Sequence, residues 1–313
     1  MSDAQSVFFP WLRRGITTRM AAPSGQDARA SVEARFEVAK EGNEAASAEV
    51  RRALQLASPE DVRGLDARAV RRTWPRTEVL DAEPNLLALV EFEQCDLPWR
   101  FTPELPPRAE VVGDVPAGQL RPWICLIVLE EEEFQLTSAS DRQPFTKLEV
   151  TAPSALPPLE EAWAWAHAQY IGAALTAPAA ELRTHPERFV ARLVCPRRLR
   201  ARSIYHAFVV PVYLRGARRG LGEPIPPGTA ASALAWTSGA TGPVTLPVYY
   251  QWRFGTGIDG DFESLVRALE ARPLPDSVGT RAMDVTVPEV GTAAEPVLLE
   301  SALQPITGTR STW

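Results

Sequence analysis

The residues whose type and spacing come nearest to a recognised chemistry are Gly255-Thr256-Gly257-Ile258-Asp259-Gly260, a GxGxxG between a predicted strand and a predicted helix. Such a loop can present backbone N–H groups to a pyrophosphate at a helix N-terminus. Its surroundings speak against that use. The preceding run, Leu246 to Phe254, carries Pro247, Gln251 and Arg253, so it is not a continuous aliphatic strand. Asp261 follows the last glycine directly, where its charge would oppose a phosphate. A tight turn feeding an Asp-capped helix is the plainer reading. Asp259, Asp261 and Glu263 also alternate like part of a calcium loop, but the chain then enters an apolar helix instead of supplying further oxygens.

No nucleophile stands out. Ser238, within Trp236 to Gly242, lacks the first glycine of a nucleophile elbow. Cys195 ends an apolar strand before Pro196 and reads as a buried, inert thiol. His206 shares a strand face with Phe208, Val210 and Val212 and reads as a core histidine. Cys95, Cys125 and Cys195 lie far apart, and His167, His185 and His206 fall in no ligand spacing. A disulfide scaffold, a cysteine-built zinc site and a histidine-rich metal enzyme are therefore excluded, and a reducing compartment suits the thiols. Neither lysine follows a glycine run, so there is no P-loop. No catalytic residue, cofactor or metal is expected.

Charge distribution says more. Of 33 basic residues only Lys40 and Lys147 are lysine, and arginine forks suit carboxylate pairing and interfaces. Residues 188–219 hold nine arginines (188, 192, 197, 198, 200, 202, 215, 218 and 219) and no acid, whereas residues 121–161 hold eight acids. The chain is acidic overall, at −6, so a nucleic-acid face is not expected. A basic face meeting an acidic face on a neighbouring subunit fits the pattern, and two solvated faces with no partner fit it as well. The candidate contact residues are Arg197, Arg198, Arg200, Arg218 and Arg219, the run Glu130, Glu131, Glu132 and Glu133, and Trp11 in the apolar N-terminal segment Phe8-Phe9-Pro10-Trp11. Tryptophan and arginine are favoured interface anchors.

These residues need a scaffold, and 313 residues at 45% hydrophobic are enough for one large domain or two ordinary ones. Strict alternation through Ser31 to Val38 predicts a half-buried strand. Glu44 to Leu56 is predicted as an Ala-rich helix. Ser58-Pro59-Glu60-Asp61 reads as the cap and acidic first turn of another, running to about Arg72. Strands are then predicted at Leu86–Phe92, Trp123–Leu129, Lys147–Val150, Phe189–Val194, Ile204–Leu214, Val244–Phe254 and Met283–Val287, with helices at Leu159–Ile171 and Phe262–Ala271. Strands and helices do not alternate regularly. The expected fold is α+β, mainly β, with Pro-rich antiparallel, sandwich-like sheets and a few peripheral helices. A hinge at Thr151–Glu161 divides it into residues 1–155 and 156–313, unless the whole is one continuous domain. The N-terminus has no signal-peptide pattern. The longest apolar run, Trp123 to Leu129, has seven residues where a spanning helix needs ~20.

Several stretches taken together resemble an uncharacterised bacterial family associated with gene clusters for phage-tail-like contractile injection systems. They are Phe9 to Gly15, Glu83 to Phe92, Leu97 to Pro103, Arg121 to Glu130, Tyr205 to Pro211 with Arg219 to Gly222, and Leu246 to Phe254 through Asp261 to Val266. The resemblance covers about residues 8–305 and carries no catalytic residues; relatives continue beyond the ending at Thr309 to Trp313. It implies a non-enzymatic structural or adaptor subunit at a baseplate or tube end, bound to other subunits of the particle or to further copies of itself. Such a chain would be cytoplasmic in a bacterium, or carried within a particle released from the cell. Two other readings stand beside it. One is cargo with a site around Gly255 to Glu263. The other is a carbohydrate- or ligand-binding β module that stacks sugars on Tyr249, Tyr250 and Trp252.

Overall fold

Alternating and continuous apolar runs bounded by prolines produce short strands joined by irregular turns, and that is the architecture found. The computed structural model describes residues 5–21, 29–40, 43–62, 64–106, 118–141, 145–258, 266–267, 269–270, 278–283 and 297–300. Its strands are β1 (Gln5–Phe9), β2 (Ser31–Lys40), β3 (Asn43–Gln55), β4 (Val70–Trp74), β5 (Leu89–Phe92), β6 (Ile124–Glu130), β7 (Phe134–Thr137), β8 (Thr146–Val150), β9 (Ala166–Gly172), β10 (Phe189–Val194), β11 (Ile204–Pro211), β12 (Val244–Val248), β13 (Tyr250–Gly255), β14 (Thr280–Met283) and β15 (Val297–Glu300). Three short α-helices, α1 (Leu97–Arg100), α2 (Pro178–Thr184) and α3 (Leu214–Gly220), accompany them with several 3₁₀ turns. The fold is α+β and mainly β, with antiparallel sheets. No helix among the described residues is long and apolar enough to cross a membrane.

Two compact units divide the chain, Met1–Asp259 and Gly260–Trp313, and residue 155 lies inside the first. In the second, β14 and β15 pair antiparallel. The first unit holds a five-stranded sheet in the order β1-β9-β10-β5-β4, two three-stranded sheets, β13-β11-β6 and β12-β8-β7, and the hairpin β2-β3. Every residue of β6 is buried, and Ala207 to Val210 of the central strand β11 are wholly inaccessible. Three of the motifs behind the resemblance lock together around this core. Trp123 Nε1 donates to the Leu97 carbonyl at 2.7 Å, and Trp99 Nε1 donates to that of Leu120 at 3.2 Å. Arg13 reaches in from the N-terminal segment to the carbonyls of Thr102 (3.0 Å) and Glu104 (2.8 Å).

Several expectations change. Glu44 to Leu56 is not a helix: it falls on β3, whose backbone bonds along β2, with Val32 opposite Leu54 and Phe36 opposite Val50. Its helix propensity, a few tenths of a kcal/mol per residue at most, yields to that ladder. Ser58 and Asp61 do form the capping box, but the turn they cap spans only Pro59–Asp61, and the chain goes on to β4. Leu159–Ile171 opens as a 3₁₀ turn, Leu159–Trp165, and continues as β9, bonded on both sides by β1 and β10. Val244–Phe254 breaks at Tyr249, where the chain leaves one sheet for another. Most of Phe262–Ala271, and residues 284–287 of the last predicted strand, lie outside the described residues.

Candidate interaction site

The acidic run and the arginine block meet inside one chain. β6 ends at Glu130 in an apolar sheet, and a 3₁₀ turn, Glu131–Glu133, follows at once. Glu133 folds back to accept from the Glu130 backbone N–H at 2.7 Å, which presents both carboxylates to the segment after β10. From that segment Arg197 donates to Glu133 Oε1 at 2.9 Å, to Glu130 Oε1 at 3.3 Å and to the Val128 carbonyl at 3.0 Å. Its guanidinium lies 5.5 Å from the centre of the Tyr205 ring. Arg200 adds a bidentate pair on Glu130, with Nε to Oε1 at 3.0 Å and Nη2 to Oε2. Its backbone N–H donates to the Tyr205 hydroxyl at 2.7 Å. Burial of Glu130 opposes its ionisation, but the Arg200 and Tyr205 hydrogen bonds and the two arginine charges outweigh it and hold its pKa below the ordinary value. These four charged groups form a clamp between β6 and the chain leading into β11.

The other candidates separate. Glu131 is exposed, 3.5 Å from His206 Nε2 and 3.7 Å from Arg253. Glu132 is exposed and makes no ion pair among the described residues. Arg218 pairs with Glu223 across the end of α3. Arg198 and Arg219 are exposed without an ion pair among the described residues, as is Arg202 from the same block. Trp11 is half-buried and packs onto the core of its own chain. Six of the nine arginines (Arg188, Arg192, Arg197, Arg200, Arg215 and Arg218) are thus engaged by carboxylates of this chain.

A second polar constellation escaped the sequence reading. On the face of the five-stranded sheet turned away from the core, Arg72 Nε lies 2.6 Å from Glu91 Oε2, and Arg192 Nε lies 2.6 Å from Glu91 Oε1. Arg192 continues to the Gln169 side-chain oxygen, and Gln169 Nε2 donates to Ser6 Oγ at 3.1 Å. The line touches all five strands. Its signal was a single charge in each of two apolar strands, Leu89-Val-Glu-Phe92 and Phe189-Val-Ala-Arg-Leu-Val194, whose registers place Glu91 opposite Arg192.

The remaining candidates that lie among the described residues make contacts within the fold. The N–H groups of Gly255, Thr256 and Gly257 donate to the carbonyls of Val79 (2.6 Å), Ser203 (3.0 Å) and Ala82 (2.9 Å), so none points toward a phosphate. Gly260 and the acids at 259, 261 and 263 lie outside the described residues. Ser238 Oγ bonds to exposed Glu160 at 3.0 Å, and burial pushes the Cys195 thiol up to about 11. Of the three aromatics considered for sugar stacking, Tyr250 is half-buried and the other two face inward. Trp252 and Tyr249 are buried at 4% and 7% exposure, and Trp252 Nε1 donates inward to the Pro75 carbonyl at 3.0 Å. Among the described residues, no group of three His, Cys, Asp or Glu side chains is arranged to hold a metal ion. Comparison with protein-family models, with curated proteins and with solved structures finds no match to this chain.

Proposed function

We propose that this chain is a non-enzymatic structural or adaptor subunit of a phage-tail-like contractile injection particle, seated at its baseplate or a tube end and binding neighbouring subunits. The observation that carries the binding role is the β2-β3 hairpin, where Phe36 (52% exposed), Val50 and Leu54 stand open to water on one face. A run of exposed apolar side chains on a regular element marks a contact surface. Phe8 and Ile171 add a second such place at the β1 edge of the five-stranded sheet. Most of the arginine block is occupied by carboxylates of the same chain, which favours a protein partner over nucleic acid. The particle class rests on the motif resemblance.

A tagged copy isolated from its own host tests the reading. Co-purification with sheath and tube proteins in a fixed ratio supports it. Recovery of the tagged chain without them overturns it.

A further inference from the structure

We propose that the groove bounded by the 3₁₀ turn Gly15–Arg19, α1, α2 and the base of the β2-β3 hairpin binds an acidic segment of a partner protein, one with apolar residues at intervals, through Arg14, Arg19, Arg100 and Arg183. This inference concerns the purified chain and stands apart from the particle reading.

The groove measures about 1400 Å³, above the ~300–1,000 Å³ of small-molecule sites, which suits a stretch of polypeptide. Its charge is one-sided. Glu33 and Arg35 pair with each other at 2.8 Å and are set aside. The other charged lining residues are five arginines and one carboxylate, Asp96. Asp96 is buried and shared, with Arg100 Nη2 at 2.6 Å and Arg14 Nε at 3.3 Å from the same oxygen, Oδ1. One carboxylate does not neutralise two guanidiniums, and the Arg100 and Arg14 side chains remain 27% and 32% exposed. Arg13 adds a buried charge whose hydrogen bonds go to the backbone carbonyls of Trp99, Thr102 and Glu104 instead of to a carboxylate. Arg19 ends the 3₁₀ turn and Arg183 lies in the last turn of α2. Both are exposed, and neither makes an ion pair or a side-chain hydrogen bond among the described residues.

Charge then selects the occupant. The chain as a whole carries −6, so this positive excess is local, and a cleft lined by one sign concentrates the opposite sign. Arginine forks match carboxylates in particular. Ile16 and Leu54, both exposed, and half-buried Leu182 lie among the arginines. They suit a ligand that carries apolar side chains beside its acids. Nucleic acid fits the lining less well. Proteins that hold single strands stack the bases on aromatic rings, and no aromatic residue is among those that line this groove. An acidic polypeptide with interspersed apolar residues complements both parts of the lining.

The test is fluorescence anisotropy with a labelled peptide repeating Glu-Glu-Leu, with circular dichroism to check that each variant is folded. The wild-type chain should bind this peptide, and the binding should weaken as salt rises. The double variant R19E/R183E should bind it about tenfold less tightly, because two attractions become repulsions. Arg76 and Arg202 are exposed, make no ion pair among the described residues and lie outside the groove. R76E/R202E changes the net charge by the same amount and should bind as wild type does. Ile16→Ser should weaken binding by about fivefold through lost apolar contact. Absence of peptide binding at low salt overturns the inference. So does an equal loss in the two double variants. Tighter binding of a labelled oligothymidylate than of the peptide overturns it too, since the groove would then be a nucleic-acid site.

Discussion

Glu91 Oε1 lies 2.6 Å from Arg192 Nε, at the centre of the polar line that crosses the five-stranded sheet. Glu91 is 2% exposed, yet it carries a charge because two arginines hold it from opposite sides. The two are not equivalent: the Arg192 side chain is 13% exposed and that of Arg72 is 65% exposed. Breaking a buried pair leaves a charge stranded at a cost of ~3–5 kcal/mol, whereas an exposed ion pair contributes ~0–1 kcal/mol. Arg192→Met is therefore expected to lower unfolding stability by about 3 kcal/mol, the low end because Arg72 remains. Arg72→Met should lower it by under about 1 kcal/mol. Urea denaturation of both variants decides the matter, and equal losses would show that the sheet does not distinguish the two partners.

Acid should weaken the fold, and the sign follows from three carboxylates. In Glu91, Glu130 and Asp61 burial opposes ionisation and is outweighed, respectively, by Arg72 and Arg192, by Arg200 with Tyr205, and by the Ser58 N–H with Arg29, so each pKa is lowered. A carboxylate with a lowered folded pKa contributes stability that is complete above its unfolded value and is lost as pH falls through the folded one. Glu104 has the opposite sign: burial outweighs Arg121 and raises its pKa, so its protonation relieves the native state as pH falls. Three groups against one give a net loss below about pH 4, near the ordinary Asp and Glu values. Thermal midpoints between neutral and pH 3 should drop, and less steeply in Glu130→Gln. A parallel drop in that variant would remove the clamp from the explanation.

Gly220 closes α3 where a Cβ would stand 2.5 Å from Pro247 Cγ and 2.7 Å from its Cβ. The proline ring is rigid and sits in β12, paired with Lys147 of β8, so it has little room to yield. Gly220→Ala is expected to cost about 1–3 kcal/mol by overpacking. Gly242→Ala, where no atom lies within 4 Å of the added methyl, is the control and should stay near wild type. Calorimetry of the pair reads the difference directly.

Legibility in the sequence followed how local the deciding force was. Trp123 to Leu129 and Phe189 to Val194 are apolar enough to be strands in any surroundings, and they are. Ala166-His-Ala-Gln-Tyr-Ile171 already alternates buried Ala166, Ala168 and Tyr170 with His167, Gln169 and Ile171, but helix-favouring residues ahead of it masked the change of period. For β3 no local signal could decide, because its strand state comes from pairing with β2. The clamp was half legible. Composition showed that Glu130 to Glu133 and the arginine block were complementary, but whether they met within one chain depended on the segment after β10 passing beside the end of β6. The Arg72–Glu91–Arg192 line depended on strand order, which no residue pattern encodes.

Charge reversal now separates folding from assembly within a single arginine block. Arg197 is engaged by Glu130 and Glu133 and only 18% exposed, so Arg197→Glu sets three carboxylates together and should destabilise the monomer by ~3 kcal/mol or more. Arg198 and Arg219 stand in water without an ion pair among the described residues, and surface changes of that kind stay within ~0.5 kcal/mol. On the proposed reading as a particle subunit, the double variant R198E/R219E should therefore keep the wild-type thermal midpoint and lose recovery with sheath and tube proteins from the host. Retained recovery would move the contact surface away from the block, toward the hairpin and the β1 edge. A lowered midpoint would show instead that these two arginines hold the fold, and they could then no longer serve as probes of assembly.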